Sequence, residues 1–148
     1  MRIIIIGAGE IGYNLAKNLS YEKHDVAIIE ENQERYARAA DSLDVQAIWG
    51  SGTSFKVLEQ AELRKADMLV GATTTDEVNL ISSIIAKKYG VEKTIARIKN
   101  LEFLNKSAPL NQDELGRVGG KAVSQETFTT SQDFFCFICC FLFLAYFL

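Results

Sequence analysis

The 148-residue chain contains one histidine, one proline and three cysteines, and these scarce residue types limit the chemistry that it can carry. Cys136, Cys139 and Cys140 lie close together near the end of the chain, with no second ligand pair and no histidine beside them. That pattern fits neither a disulfide framework nor a zinc site. The single histidine, His24, lies in a polar loop, where a solvated residue is a better interpretation than a base or a ligand.

The chain also has little net charge and no grouping of catalytic residues. A formal charge of −3 gives no reason to expect a nucleic acid partner. An oxidoreductase needs a proton donor and a substrate site beside its nicotinamide, but no His, Lys or Tyr constellation of that kind is visible. The first apolar run is too short for a signal peptide, which predicts a cytoplasmic location for the N-terminal part. One domain is the natural expectation at this length.

What the sequence does contain is concentrated in its first thirty residues. Four isoleucines at 3–6 form a short apolar run, which is typical of a buried strand in a parallel sheet. A G-x-G-x-x-G motif follows at residues 7–12, and Ile11, Leu15 and Leu19 then recur at helical spacing. A second apolar run ends at Glu30. Strand, glycines, helix, strand and acid together indicate a dinucleotide-binding βαβ unit.

Each part of this unit has a physical reason. Gly7 permits a tight exit from the strand, Gly9 lets a pyrophosphate approach the backbone, and Gly12 lets the helix pack closely on the strand. The first N–H groups of the helix and its positive dipole end then face the phosphates. Glu30 lies near the spacing expected for the acid that binds the adenosine ribose, and its charge would repel a 2′-phosphate, which favours NAD over NADP. The alternative is a merely tight turn between strand and helix.

Strand and helix patterns alternate through residue 98. Strands are predicted at about 45–49, 68–72 and 94–98, with a helix from about residue 33, a short helix with 57, 58 and 61 inward, and a helix after residue 73 whose apolar positions include Val78, Ile81 and Ile85. Gly90 is expected to end that last helix. A final amphipathic piece covers about 100–110. This order predicts an α/β fold with a Rossmann-like, doubly wound parallel sheet.

Such sheets bind nucleotides at the carboxyl ends of their strands. Four segments should therefore meet: the glycine turn (residues 7–12), Glu30, the turn at 50–53 and the threonine turn (residues 73–75). The threonine turn offers hydroxyls and N–H groups to a ribose or a phosphate, or simply caps a helix. Arg97, in an otherwise apolar strand, either reaches solvent from an edge strand or directs its guanidinium at a phosphate or a carboxylate.

Residues 1 to about 105 resemble the N-terminal nucleotide-binding domain of the TrkA-type potassium-uptake regulators, the RCK or KTN family. The matching segments are residues 4–12, 29–35, 49–53, 57–61, 65–70, 74–80 and 95–98, which read IIIGAGEIG, IEENQER, WGSGT, VLEQA, KADMLV, TTDEVNL and IARI. The last three in combination are more specific than the glycines, and they separate this family from ordinary dehydrogenases.

The resemblance implies a binding module that catalyses nothing. Family members bind NAD(H), and some bind ATP or ADP; they form homodimers and higher rings beneath a membrane potassium transporter subunit of the Trk type, on the cytoplasmic face of the membrane, and change shape with their ligand. Asp76 and Glu77 would order a helix start or a subunit contact. The cofactor-binding residues that it implies are Gly7, Ala8, Gly9, Glu10, Ile11, Gly12, Glu30, Thr73, Thr74 and Arg97. For Arg97 the resemblance implies either a charged contact with the ligand or a contact in the dimer.

Two departures from the family pattern bear on the ligand. Many relatives carry Asp where this chain has Ser51, which weakens the case for an adenine-side contact there. Relatives that prefer ATP tend to carry Arg where this chain has Glu10, and a negative charge there disfavours a third phosphate. NAD(H) is therefore the expected ligand. The other functions considered are an NAD-dependent oxidoreductase fragment and a dimerisation module that has lost its ligand.

The family pattern weakens towards the end of the chain. The nucleotide-binding domain is expected to cover 1–127, with a degenerate last strand whose best match is 122–126. Residues 134–148 are all apolar or Tyr and would span about 22 Å as a helix, which is short of the ~30 Å hydrocarbon core. The tail at 128–148 is therefore a membrane-dipping anchor, a segment covered by a partner, or a non-native ending that replaces the rest of a two-domain subunit.

Overall fold

Strand β1 (Arg2–Ile6) lies inside a parallel sheet, with a strand hydrogen-bonded on each side. The computed structural model describes residues 1–100 and the backbone of 121–124. After β1 the elements are α1 (Glu10–Tyr21), β2 (Asp25–Glu30), α2 (Gln33–Ser42), β3 (Gln46–Trp49), α3 (Phe55–Gln60), a 3₁₀ turn (Leu63–Lys65), β4 (Met68–Gly71), α4 (Asp76–Lys88), β5 (Lys93–Ile98) and β6 (Lys121–Ser124).

The six strands follow the order β3-β2-β1-β4-β5-β6, and every pairing is parallel. This order confirms the Rossmann-like, doubly wound fold predicted from the sequence. The direction of winding reverses between β1 and β4, because the chain moves outward from β1 through β2 to β3 and then returns to β4. A crevice at the carboxyl ends of the strands is expected at such a reversal.

The isoleucines of β1 supply both layers of the core, because alternate side chains of a strand point to opposite faces. Ile3 and Ile5 pack with Leu15 and Leu19 of α1, and Ile4 and Ile6 pack with the layer under α3 and α4. All four isoleucine side chains are buried. The four isoleucines are consecutive because helices cover both faces of β1, so that no position on the strand faces water.

Helix α4 buries few of the apolar positions named in its sequence. Ile81 is exposed, and Val78 and Ile85 are only partly buried. The residues that the helix buries are mostly polar or small: Asp76, Asn79, Ser82, Ser83 and Ala86. The polar side chains can be buried because they form hydrogen bonds with backbone groups and with the hydroxyl of Thr73. Gly90, with φ +93°, follows the helix end as expected.

Strand β6 overlaps the weak match at 122–126 and pairs in parallel with β5. The amphipathic piece predicted at about 100–110 lies, beyond Asn100, outside the described residues, as does the apolar tail at 128–148. Within the part of the chain that the structure describes, no helix has the length and apolarity needed to cross a membrane.

Arg2 ties three strands together at the end of the sheet opposite to the strands' carboxyl ends. Its Nη1 lies 2.7 Å from both carboxylate oxygens of Asp25, at the start of β2. Its Nη2 donates to the side chain of Gln46 in β3 and, at 3.0 Å, to the carbonyl of Ala61. The Arg2 side chain is only 12% exposed, so these charge-assisted bonds are partly shielded from water.

Replacing Arg2 by alanine is therefore expected to lower the free energy of unfolding by about 2 kcal/mol, the scale of hydrogen bonds to a charged group. Urea unfolding followed by circular dichroism measures the change. Lys65→Ala is the control, because Lys65 is exposed and its 3.0 Å pair with Glu62 on the surface is worth about 0.5 kcal/mol or less. Equal losses in the two variants would contradict a special role for Arg2.

Candidate functional site

A cleft open to solvent lies at the carboxyl ends of β1 to β4, and the space of about 530 Å³ between its walls includes open solvent. It is formed where the four segments expected from the sequence meet, with Arg35 added from α2 and Val78 from α4. Its lining residues are Ile6, Gly7, Gly9, Ile29, Glu30, Glu31, Arg35, Gly50, Gly52, Ala72, Thr73, Thr74, Thr75 and Val78.

The sheet order fixes the arrangement of these groups across the cleft. The turn after β1, which holds Gly7 and Gly9, lies in the middle. On one side follow Glu30 at the end of β2 and then the 50–53 turn after β3; on the other side lies the threonine turn after β4. Neighbouring strands are about 4.8 Å apart, so the lining extends roughly 10 Å from the central turn to the end of β3.

The backbone of the glycine turn is tight in two places. Gly7 has φ +100°, a region that residues with a Cβ rarely adopt, and its N–H donates to the carbonyl of Ile29 at 2.7 Å. A Cβ on Gly12 would lie 1.9 Å from the carbonyl oxygen of Gly7, far inside van der Waals contact. Helix α1 can approach the end of β1 this closely only because residue 12 has no side chain.

Gly9 is different, because a Cβ there would meet no atom within 4 Å. It is the N-cap residue of α1, and no side chain caps the helix. The first N–H groups of a helix have no partner inside it, and they carry its positive dipole end. The start of α1 is thus an unblocked, partly positive surface at the centre of the cleft, which suits an anionic group such as a phosphate.

Glu30 is 7% exposed and uses its carboxylate to join β2 to the glycine turn. One oxygen accepts the N–H of Ala8 at 2.6 Å, and the other accepts the N–H of Asn32 at 2.9 Å. A carboxylate can accept about four hydrogen bonds, so these contacts leave acceptor capacity for two hydroxyl groups in the cleft. Arg38 donates to the carbonyl of Ala8 at 3.3 Å, so Ala8 is held through both its N–H and its carbonyl.

The threonine turn is held from behind by Asn79, which is fully buried. The side-chain oxygen of Asn79 accepts the N–H of Thr73 at 2.9 Å and lies 2.7 Å from its hydroxyl. The side-chain nitrogen donates to the carbonyls of Thr73 at 3.1 Å and of Arg97 at 2.8 Å. One buried amide therefore sets the position of a turn that lines the cleft, and it also connects this turn to β5.

One interpretation of the sequence placed Arg97 on an edge strand. This is wrong, because β5 lies between β4 and β6. Its guanidinium donates to the carbonyl of Thr73 at 3.1 Å, behind the cleft. Burial lowers the pKa of Arg97, and the carboxylate of Asp76 opposes that shift. Asp76 is itself buried and accepts the N–H groups of Lys99 at 2.9 Å and Asn100 at 2.7 Å. The start of α4 thus holds both the threonine turn and the chain that leaves β5.

The ten residues named from the sequence divide into two groups. Those that line the cleft are Gly7, Gly9, Glu30, Thr73 and Thr74; those outside its lining are Ala8, Glu10, Ile11, Gly12 and Arg97. Ala8 is buried in the core, Ile11 is partly buried and packs against it, and Glu10 is exposed on the first turn of α1.

Sequence reasoning missed Arg35, Arg38 and Asn79. For Asn79 there was a signal, since a polar residue at a sheet-facing helical position needs partners when it is buried. For the two arginines no local signal distinguished them from other charges on the exposed side of α2.

Comparison with known proteins places these features in a family. The model of the TrkA-N domain matches residues 3–122. A Trk system potassium uptake protein TrkA homolog of Archaeoglobus fulgidus is 44% identical over 119 residues, covering 78% of this chain and 27% of that protein. A second TrkA homolog, from Methanothermobacter thermautotrophicus, is 43% identical over 100 residues, covering 68% of this chain and 46% of that protein. The chain thus spans less than half the length of these curated relatives.

Solved structures share the fold. The TrkA-N domain of the inner membrane protein ybaL from Escherichia coli superposes with a TM-score of 0.71 at 17% identity, covering 84% of this chain and 87% of that domain. The GsuK channel, solved bound to NAD, superposes with a TM-score of 0.65 at 20% identity, covering 82% of this chain and 21% of that channel chain.

Proposed function

This chain belongs to the TrkA-N domain family, and from that membership we propose that it is an NAD(H)-binding regulatory module of a Trk-type potassium uptake system. The observation that supports the proposal most directly is the cleft, in which an unblocked helix start, a buried carboxylate and a threonine turn meet at the reversal point of the sheet. The pyrophosphate would bind at Gly7 and Gly9, and the adenosine ribose at Glu30. Thr73 and Thr74 would contact the second nucleoside.

The charges around the cleft favour a dinucleotide over a nucleoside triphosphate. Glu10 begins α1, and Glu30 and Glu31 line the cleft, whereas Arg35 is the one cation among its described lining residues. A diphosphate carries fewer negative charges into this surrounding than a triphosphate does. NAD(H) is therefore the proposed ligand, with ADP and ATP as weaker competitors.

The proposed role is binding rather than catalysis. The titratable side chains among the described lining residues are two glutamates and one arginine, and Glu30 is engaged by backbone N–H groups. The protein would act as a homodimer or a larger ring on the cytoplasmic face of a membrane, against a Trk-type transporter subunit, and ligand exchange would alter its shape. Residues 1–127 would form the nucleotide-binding domain, as the sequence suggests.

Thermal unfolding of the full chain with NADH, NAD, NADP, ATP and ADP tests the proposal, because a ligand that binds only the folded state raises its stability. NAD or NADH should raise the melting temperature most, and no hydride transfer should follow with added alcohols or hydroxy acids. Stabilisation by none of the five would overturn the proposal in favour of a ligand-free dimerisation module. Turnover of NADH would instead indicate an oxidoreductase fragment.

Glu30→Gln is expected to weaken NAD binding about tenfold, or about 1.4 kcal/mol, because an amide loses the charge and turns a donor toward either a ribose hydroxyl or a backbone N–H. The preference for NAD over NADP should shrink in the same variant. Glu34→Gln is the control, since Glu34 has the same charge but is exposed on the first turn of α2 and lies outside the cleft lining. Isothermal titration measures the NAD affinity of both variants, and an equal loss of affinity in the two would argue against a ribose contact at Glu30.

A further inference from the structure

We propose that Arg35 contacts the flat face of the nucleobase and that the cleft therefore accepts different purines. The inference rests on the proposed dinucleotide function and adds a specificity to it. It concerns the base end of the cleft, which lies beyond Glu30 and is formed by Glu31, Arg35, Gly50 and Gly52.

The order of the strands indicates that the base end of the cleft would hold a nucleobase. With a pyrophosphate at Gly9, one nucleoside must extend over the ends of β2 and β3 and the other over the end of β4. Glu30, at the end of β2, is placed for the ribose of the first nucleoside. The base attached to that ribose then lies farther along the same direction, between Arg35 and the 50–53 turn.

The base end offers few side chains that could read the edge of a base. Gly50 and Gly52 have no side chains, and Ser51 is absent from the cleft lining, with its hydroxyl 3.0 Å from that of Thr53. Glu31 is exposed, so water competes for its carboxylate. A guanidinium has no acceptor, so Arg35 cannot accept a hydrogen bond from the 6-amino group of adenine.

Arg35 is well placed for a contact with the face of the ring instead. Its backbone N–H is fixed by the side chain of Asn32 at 3.0 Å, in the first turn of α2, and its side chain lines the cleft. Within the described residues it belongs to no ion pair. A planar guanidinium stacks on aromatic rings, and a stacking contact is tolerant of base identity because every base has a π-face.

The test compares NAD with its hypoxanthine analogue, nicotinamide hypoxanthine dinucleotide, which carries a 6-oxo group in place of the 6-amino group. The single tryptophan, Trp49, donates its indole N–H to the carbonyl of Glu31 at 3.0 Å, so its fluorescence reports binding at the base end. The full chain should bind the two dinucleotides with affinities that agree within about threefold. An edge contact from Arg35 would instead favour the 6-oxo base, whose O6 and N7 both accept, and a preference above tenfold for either ligand would overturn the inference.

Arg35→Ala should weaken both dinucleotides by the same factor of about five, equivalent to about 1 kcal/mol, and should leave nicotinamide mononucleotide, which has no purine, unaffected. Arg35→Lys should weaken both dinucleotides nearly as much as Arg35→Ala does, because lysine keeps the positive charge but lacks the planar guanidinium group. Arg64→Ala is the matched control: Arg64 is also exposed, but it lies over the ring of Tyr89 and outside the cleft lining.

The outcomes separate this inference from the proposed function. Failure of the unmodified chain to bind either dinucleotide would overturn both. Binding that Arg35→Ala leaves unchanged, binding that Arg35→Lys fully preserves, or a loss confined to NADP would overturn the stacking contact alone.

Discussion

Gly12→Ala is expected to lower the free energy of unfolding by about 3 kcal/mol or more, toward the upper end of the cost of overpacking. The added methyl group would lie 1.9 Å from the carbonyl oxygen of Gly7, which is backbone and cannot rotate away. Relief therefore requires α1 to move off β1, at the expense of its contacts with Ile3 and Ile5. Domains of this size have about 5–15 kcal/mol of stability in total, so a large fraction would be lost.

Gly9→Ala is the matched comparison, three residues earlier in the same turn. Its Cβ would face open space and its φ of −63° suits alanine, so its stability should change by about 1 kcal/mol at most. The same methyl group would project where a pyrophosphate must approach, and NAD binding should fall tenfold or more. Urea midpoints and titration calorimetry measure the two effects. Similar urea midpoints for Gly12→Ala and Gly9→Ala would contradict the assignment of Gly12 to packing and of Gly9 to binding.

Asn79→Ala should also be strongly destabilising, by about 3 kcal/mol. The change removes the side-chain partner of the Thr73 N–H and of the Arg97 carbonyl, whereas the Thr73 carbonyl keeps only its bond from the Arg97 guanidinium. An unsatisfied buried group costs about 1–3 kcal/mol. The threonine turn would lose its support, so nucleotide affinity should fall as well, although Asn79 itself lies outside the cleft lining. Denaturant unfolding and NAD titration measure the two consequences.

Two further variants separate hydrogen bonding from volume. Asn79→Asp keeps the shape but turns an oxygen toward two carbonyls, and it should be at least as damaging near neutral pH. Ser83→Ala removes another buried polar group, but the Ser83 hydroxyl donates only to the carbonyl of Asn79 within its own helix, so the cost should be about 1 kcal/mol or less. A Ser83 variant as unstable as Asn79→Ala would show that the loss of any buried polar group of α4, rather than the bonds to the turn, is what matters.

These residues also show what the sequence can predict. The four isoleucines and the glycine motif specify the strand, the turn and the helix because local sterics and two-sided burial leave few alternatives. The meeting of the four turns follows from the topology of a parallel sheet, which requires only the order of the elements. Fold class and the place of the cleft were therefore accessible without coordinates.

The side chains that hold the cleft in place were less accessible. The apolar pattern of α4 gave no indication that Asn79 is buried, because the hydrogen bonds that satisfy its amide reach Thr73 and Arg97, six and eighteen positions away. Glu30 was named as a ribose contact, yet its bonds to Ala8 and Asn32 depend on how two turns approach each other. Arg97 was ambiguous because its strand is internal only through pairing with β6, the segment with the weakest pattern.

The central position of β1 has a consequence for how the domain would respond to an occupant. Ile3 to Ile6 are paired to β2 on one side and to β4 on the other, so their amide hydrogens should exchange with deuterium only when the entire sheet opens. The glycine turn continues directly from this slow-exchanging segment. A molecule bound at the glycine turn would consequently slow amide hydrogen exchange across the whole domain, and not only in one loop.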